Sequence, residues 1–91
     1  MAITHGMNIE QIRSDAKQLE THATTIQTAA DAANKLVTGS IATNWQGPDS
    51  KRFVGTTWPS HYKALKAAAE ALRGVAATLK AEATAQQSTS A

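Results

Sequence analysis

The chain has 91 residues, of which 19 are alanine and four are aromatic, so it can make at most one small domain with a thin core. It has no cysteine, which excludes disulfide bonds and thiolate chemistry. The net charge of +2 divides unevenly, because residues 1–44 carry three basic and four acidic side chains and residues 45–91 carry six and three. This asymmetry argues only weakly for an acidic partner.

A first helix is predicted from about residue 8 to 43, after a flexible leader over residues 1–7. Asn8 suits the N-cap, and Gln11 stands three residues later in the position of a capping box. Alternating steps of three and four then separate the apolar residues Ile9, Ile12, Ala16, Leu19, Ala23, Ile26, Ala30, Ala33 and Val37. This period is typical of a helix that packs along a helical neighbour.

The stretch NWQGPDSKRF, residues 44–53, predicts the turn between two helices. Gly39 is expected to loosen the end of the first helix, which we place between Ala42 and Trp45. The second helix is expected to open at Gly47-Pro48-Asp49, because proline suits the first helical position and an acidic residue suits the positive end of the helix dipole.

The second helix is predicted from about residue 48 to 86, with residues 87–91 as a flexible tail. Its apolar positions are Val54, Trp58, Tyr62, Leu65, Ala69, Leu72, Ala76, Leu79 and Ala83. Pro59 lacks an amide hydrogen and its ring presses on the carbonyl of Gly55, so a kink is expected near residues 55–59. The alternative is a short helix over 48–57 followed by a longer one from Pro59 or Ser60.

Each helix has one column of large residues and one column of alanines at seven-residue spacing. The large columns are Ile12, Leu19 and Ile26, and Leu65, Leu72 and Leu79. The short turn makes the two helices antiparallel neighbours, and alanines permit their close approach. The sequence therefore predicts a single all-α helical-hairpin domain over 1–91. Because two helices cannot enclose a core, we expect it to dimerise into a four-helix bundle through the seam that holds the large columns.

Three aromatic residues of the second helix are also expected to belong to this seam or to face a partner. Trp58 and Tyr62 lie four residues apart and are best explained by core packing, with the tyrosine hydroxyl at the edge. Phe53 falls beside the main seam, where it can cover the turn or contact a partner.

Residues that could carry chemistry are sparse. His5, His22 and His61 have no spacing typical of a zinc site, and no nucleophile elbow or glycine-rich phosphate loop is present. We therefore expect no enzyme, metal or cofactor. The basic residues near the turn are too sparse for a nucleic-acid interface and are interpreted as solvated side chains or a weak acidic docking site; they are Lys51, Arg52, Lys63 and Lys66. No segment is apolar enough for a membrane span or a cleaved secretory signal.

A helical hairpin of about a hundred residues with Trp45-Gln46-Gly47 in its central turn resembles the WXG-hundred family, the early-secreted-antigenic-target-like proteins of type VII secretion. The resemblance covers most of the chain, including Phe53 and Trp58. The form Trp-Gln-Gly-Pro-Asp followed by Phe is most similar to actinobacterial members.

The resemblance implies a small non-enzymatic protein that is exported from the cytoplasm without a cleaved signal peptide. It also implies a folded dimer, formed with a second copy or a sister WXG protein, with a larger substrate or the secretion ATPase as a further partner. Trp45 and Gly47 would form half of the export signature. The other half, Tyr-x-x-x-Asp/Glu after the second helix, is missing, because Tyr62 is followed by Lys66. The chain is therefore expected to travel with a partner that carries this motif. The alternative is a structural coiled-coil adaptor whose Trp-x-Gly turn is coincidental.

Overall fold

The computed structural model describes residues 6–90, which form two antiparallel helices joined at Trp45–Gly47. The first helix comprises an α-helix over Ile9–Leu36, a π-helical turn over Val37–Ile41 and a last α-helical turn over Ala42–Asn44. The second comprises an α-helical start over Pro48–Arg52, a π-helical turn over Phe53–Thr57 and an α-helix over Trp58–Ser90. The predicted all-α hairpin is confirmed.

The first helix begins as predicted, with one difference. The Asn8 side-chain oxygen accepts a hydrogen bond from the Gln11 amide (3.1 Å), as an N-cap residue does. The Gln11 side chain does not complete the capping box, because it donates forward to Asp15 at 2.9 Å. The second helix opens with Gly47 as its N-cap, Pro48 at the first helical position and Asp49 in the first turn.

The helices contain two π-helical turns, and each has a glycine at its centre. Gly39 lies within Val37–Ile41, where the end of the first helix was expected to loosen. Gly55 lies within Phe53–Thr57, which ends two residues before Pro59. Because proline has no amide hydrogen for the carbonyl four residues earlier, a wider turn at this point accommodates it. The helix continues through the turn, so the alternative of two separate helices is wrong.

The second helix extends to Ser90, beyond the predicted end near residue 86. Residues 87–90 of the expected flexible tail are helical, whereas residues 1–5 of the expected leader and Ala91 lie outside the described residues. The chain divides into two compact units. We call them the terminal unit, made by the segments up to Ala23 and from Glu70 onward, and the turn unit, which is Thr24–Ala69.

The buried residues of both units are small. In the terminal unit they are Ala16, Ala23, Ala76 and Ala83. In the turn unit they are Ala30, Val37, Ser50 and Ala69. No large side chain among the described residues is fully buried. The alanine columns thus form the inside of each unit, and the large columns lie beside it.

Helix geometry explains why the two sides of the alanine column differ. At about 100° per residue, the residue three positions after a buried alanine points about 60° to one side and the residue four positions after it about 40° to the other. After Ala16 these residues are Leu19 and Glu20. In an antiparallel pair the same offsets of both helices lie on the same side. Each unit therefore has an apolar flank and a polar flank.

The two flanks are defined by their residues. The terminal unit has an apolar flank of Ile12, Leu19, Leu72 and Leu79, and the turn unit has its own apolar flank of Ile26 and Leu65. The polar flank consists of Arg13, Glu20, Arg73 and Lys80 in the terminal unit and of Gln27, Asn34 and Lys66 in the turn unit.

Candidate interaction surfaces

The apolar flank holds six of the residues that the sequence assigned to a partner seam. Five of them are half-buried, and Leu65 keeps 39% of its surface exposed. Leu36 and Val75 precede buried residues by one position, which places them at the outer edge of the same flank, and Val75 is 49% exposed. A leucine that is only partly covered has further free energy to gain when a partner removes it from water.

The polar flank of the terminal unit links the two helices by charge and by hydrogen bonds. Lys80 Nζ lies 2.8 Å from both carboxylate oxygens of Glu20. Arg13 donates to the Gln87 side-chain oxygen at 2.7 Å. These contacts require that the residues four positions after the buried alanines lie on the same side of both helices. They therefore support the assignment of the leucine and isoleucine columns to the opposite side.

The polar flank of the turn unit is built on the two predicted aromatic residues of the second helix. Trp58 Nε1 donates to the Asn34 side-chain oxygen at 2.9 Å, and the Tyr62 hydroxyl donates to Asp31 at 2.6 Å. The two rings stack with centroids 6.0 Å apart and an interplanar angle of 10°. Lys66 Nζ lies 5.0 Å from the centre of the Tyr62 ring. Both aromatic residues therefore fix the helix pair through their polar tips as well as their faces.

The hydrogen bond between Tyr62 and Asp31 changes the titration of both groups. It lowers the pKa of Asp31 below the ordinary value of 3.8, assisted by a hydrogen bond from Gln27 and by the charges of Lys66 and Lys35 and opposed by partial burial. The same hydrogen bond raises the pKa of the Tyr62 hydroxyl above 10.0, and burial and the charge of Asp31 act in the same direction. The pair is thus stable over the whole neutral range.

The Trp-Gly turn is held by its backbone. Gly47 has φ +113° and ψ 178°, a conformation open almost only to glycine. The buried Ser50 hydroxyl donates to the backbone carbonyl of Trp45. The Trp45 ring is 43% exposed and contacts Phe53, with centroids 5.7 Å apart at an angle of 44°. Phe53 therefore covers the turn, one of the two roles left open by the sequence.

His22 and His61 are exposed, and His5 lies outside the described residues. Among the residues that the structure describes, no three His, Asp or Glu side chains lie together in a way that could hold a metal ion. The basic residues near the turn, Lys51, Arg52, Lys63 and Lys66, are all exposed, and Lys66 in addition lies over the Tyr62 ring.

Sequence reasoning missed the acceptors on the first helix. Asp31 and Asn34 were not singled out, although they lie three residues apart on one helix and face donors four residues apart on the other. That matched spacing of polar partners was the signal that could have found them. Ser50 was missed because a serine in a turn is common and its burial depends on the backbone around it.

Comparison of the chain with models of protein families, with curated proteins and with solved structures finds no match. No helix within residues 6–90 combines the length and the apolar character needed to cross a membrane.

Proposed function

We propose that the chain is a non-enzymatic interaction protein of the WXG type, which acts as a dimeric effector or co-secretion partner in type VII secretion. The observation that carries the dimer is the apolar flank, where large side chains remain partly exposed beside a core of alanines. The assignment to secretion rests on the resemblance of the Trp45-Gly47 turn and its flanking helices to that family.

A second hairpin is the occupant that fits the apolar flank best. Both helices present the same residue types there, isoleucine and leucine at seven-residue spacing, so two copies related by a twofold axis would meet with matching surfaces. The result would be a four-helix bundle whose larger side chains form a common core. A sister protein with the same pattern would fit equally well in shape, and we favour the homodimer because its patterning requires no unusual partner.

The turn supports a role in recognition. Trp45 keeps 43% of its surface exposed although Gly47 and Ser50, which both follow it in the chain, fix the backbone of the turn. A rigidly presented aromatic side chain is a common anchor in protein interfaces. The chain has no Tyr-x-x-x-Asp/Glu motif, since Lys66 follows Tyr62 by four residues and packs on its ring. We therefore propose that a partner chain provides this motif during export.

Size-exclusion chromatography with light scattering tests the dimer directly. The purified chain should elute at about twice its 9.6 kDa mass. Leu19→Gln combined with Leu72→Gln should abolish the dimer at micromolar concentration, because each leucine occurs twice in a symmetric interface and contributes roughly 1–2 kcal/mol. The control, Thr24→Gln combined with Ala77→Gln, adds the same amides at exposed positions and should leave the dimer intact. A dimer that survives the leucine substitutions would refute this interface, and a partly unfolded monomer of the unaltered chain would indicate the sister protein instead.

Export in the presence and absence of co-expressed partners tests the secretion role. Trp45→Ala should leave the fold intact, because the indole is only partly packed and its loss costs less than the ~3–5 kcal/mol of a buried tryptophan. If the variant folds, dimerises and loses export, the turn is a recognition element. Normal export of Trp45→Ala, or absence of export with every partner, would favour the structural coiled-coil adaptor. Export of the chain alone would contradict the need for a partner's motif.

A further inference from the structure

We propose a second interaction surface on the polar flank of the terminal unit, a basic groove that binds an acidic helical segment of a partner. The groove has a volume of about 400 Å³ and is lined by Arg13, Ser14, Lys17, Lys80 and Thr84. It lies on the side of the alanine column opposite the apolar flank, so a dimer that covers the apolar flank leaves it accessible. The inference therefore does not depend on the proposed function.

The groove carries positive charge that the chain itself does not neutralise. Two ion pairs occur among the described residues, Arg73 with Glu70 and Lys80 with Glu20. Neither Arg13 nor Lys17 belongs to them. Arg13 donates to the uncharged side chain of Gln87 at 2.7 Å, and Glu10, one turn before it, forms no ion pair with it.

The spacing of Arg13 and Lys17, neither of which has an ion pair among the described residues, indicates the form of the ligand. Arg13 and Lys17 are four residues apart on one helix, so they lie one above the other, roughly 5–6 Å apart at their Cβ atoms. Two carboxylates four residues apart on a partner helix have the same separation, and each can pair with one cation. The hydroxyls of Ser14 and Thr84 add hydrogen-bond donors along the groove.

The volume of the groove argues against a small inorganic anion as its occupant. A volume of about 400 Å³ is that of a site for a ligand of many atoms. The aliphatic stems of the arginine and the two lysines also offer apolar surface that a helix can cover and a hydrated anion cannot.

Fluorescence anisotropy with the full chain and a labelled helical peptide tests the proposal. The probe is an alanine-rich peptide with two glutamates four residues apart, and the comparison peptide has the same composition with the glutamates two residues apart, on different faces. We expect the probe to bind the chain more tightly than the comparison peptide, and salt to weaken the binding. Arg13→Gln combined with Lys17→Gln should weaken binding on the order of tenfold.

Matched variants separate a specific groove from general charge attraction. Lys51→Gln combined with Lys63→Gln removes two exposed positive charges from the turn unit and should change binding less than about twofold. Lys17→Gln alone should also weaken binding of the probe, with no change in helical circular dichroism. Because this variant keeps Arg13, loss of the Arg13–Gln87 hydrogen bond cannot be the cause. Equal loss in the turn-unit variant, equal affinity for both peptides, no binding at low salt, or stronger binding to phosphatidylserine vesicles than to the probe would each overturn the proposal.

Discussion

Substitution of Gly47 by alanine is the most direct test of the turn that joins the two helices. At φ +113° and ψ 178° the residue occupies a region that is essentially restricted to glycine, and other residues there cost of order 1–3 kcal/mol. An added Cβ would meet no atom within 4 Å beyond the neighbouring residues of the chain, so the cost comes from the local backbone and not from a clash with packed side chains. The lower entropy of the unfolded alanine chain offsets about 0.4–1 kcal/mol of it. We therefore expect Gly47→Ala to destabilise the protein by about 1–2 kcal/mol.

Gly74→Ala is the matched control, because the same chemical change should have the opposite sign. Gly74 lies within the helix Trp58–Ser90, is exposed, and likewise leaves open space for a Cβ. Alanine in a helix interior is favoured over glycine by about 0.5–1 kcal/mol, so this variant should be more stable.

Urea unfolding followed by circular dichroism, at one fixed protein concentration, measures both variants. The expected result is a lower midpoint for Gly47→Ala and a higher midpoint for Gly74→Ala, with unchanged slopes. If Gly47→Ala were neutral or stabilising while Gly74→Ala behaved as expected, the conformation assigned to the turn would be wrong. If both variants were destabilised, the conformation of the turn would be supported and the helical environment assigned to Gly74 would be wrong.

Four further predictions concern the contacts that hold the turn unit. Ser50→Ala should cost about 1–3 kcal/mol in urea unfolding, because it removes the donor to the Trp45 carbonyl at a buried position; an unchanged midpoint would contradict this contact. Trp58→Phe should cost about 1 kcal/mol through the lost hydrogen bond to Asn34, and a double-mutant cycle with Asn34→Ala should show coupling. As pH falls through and below 3.8, the stability that ionised Asp31 provides should disappear, because the unfolded state takes up its proton first; Asp31→Asn should flatten that limb of the pH profile. As pH rises above 10.0, the stability that the protonated Tyr62 hydroxyl provides should be lost, because the unfolded state releases that proton first. Tyr62→Phe should abolish this loss of stability at high pH.

The sequence predicted the helices and the turn because local signals determine them. Asn8 and Pro48 favour the start of a helix, Gly47 permits a backbone conformation that other residues avoid, and the structure has them as the caps and first residues expected. The π-helical form of these turns could not be predicted, because a kink or a loosened end would accommodate the same proline and glycines as well as a wider turn does. Gly39 and Gly55 indicated only where the backbone could depart from α-helical geometry.

The alternation of large and small residues did not reveal which column lies inside each unit. The leucine column and the alanine column lie about 40–60° apart around the helix axis. A rotation of the helix by about 50° therefore decides which of the two columns contacts the other helix. Cross-helix polar partners decide between these arrangements. With Ala16 and Ala83 inside, Glu20 reaches Lys80 at 2.8 Å. The period of apolar residues in a helix does not show which residues of the two helices pair with each other. The separation into an apolar and a polar flank was therefore found only in the structure.

The one-sided distribution of large apolar residues predicts that assembly stops at two copies. In the terminal unit these side chains lie on one flank, and the opposite flank carries the ion pair of Lys80 with Glu20. A twofold dimer that joins two such apolar flanks covers these leucines, so a third chain cannot dock on them. Light scattering across a concentration series should therefore reach a plateau at the dimer mass. A mass that keeps rising with concentration would mean that a further surface associates, and Leu19→Gln combined with Leu72→Gln would then fail to yield monomers.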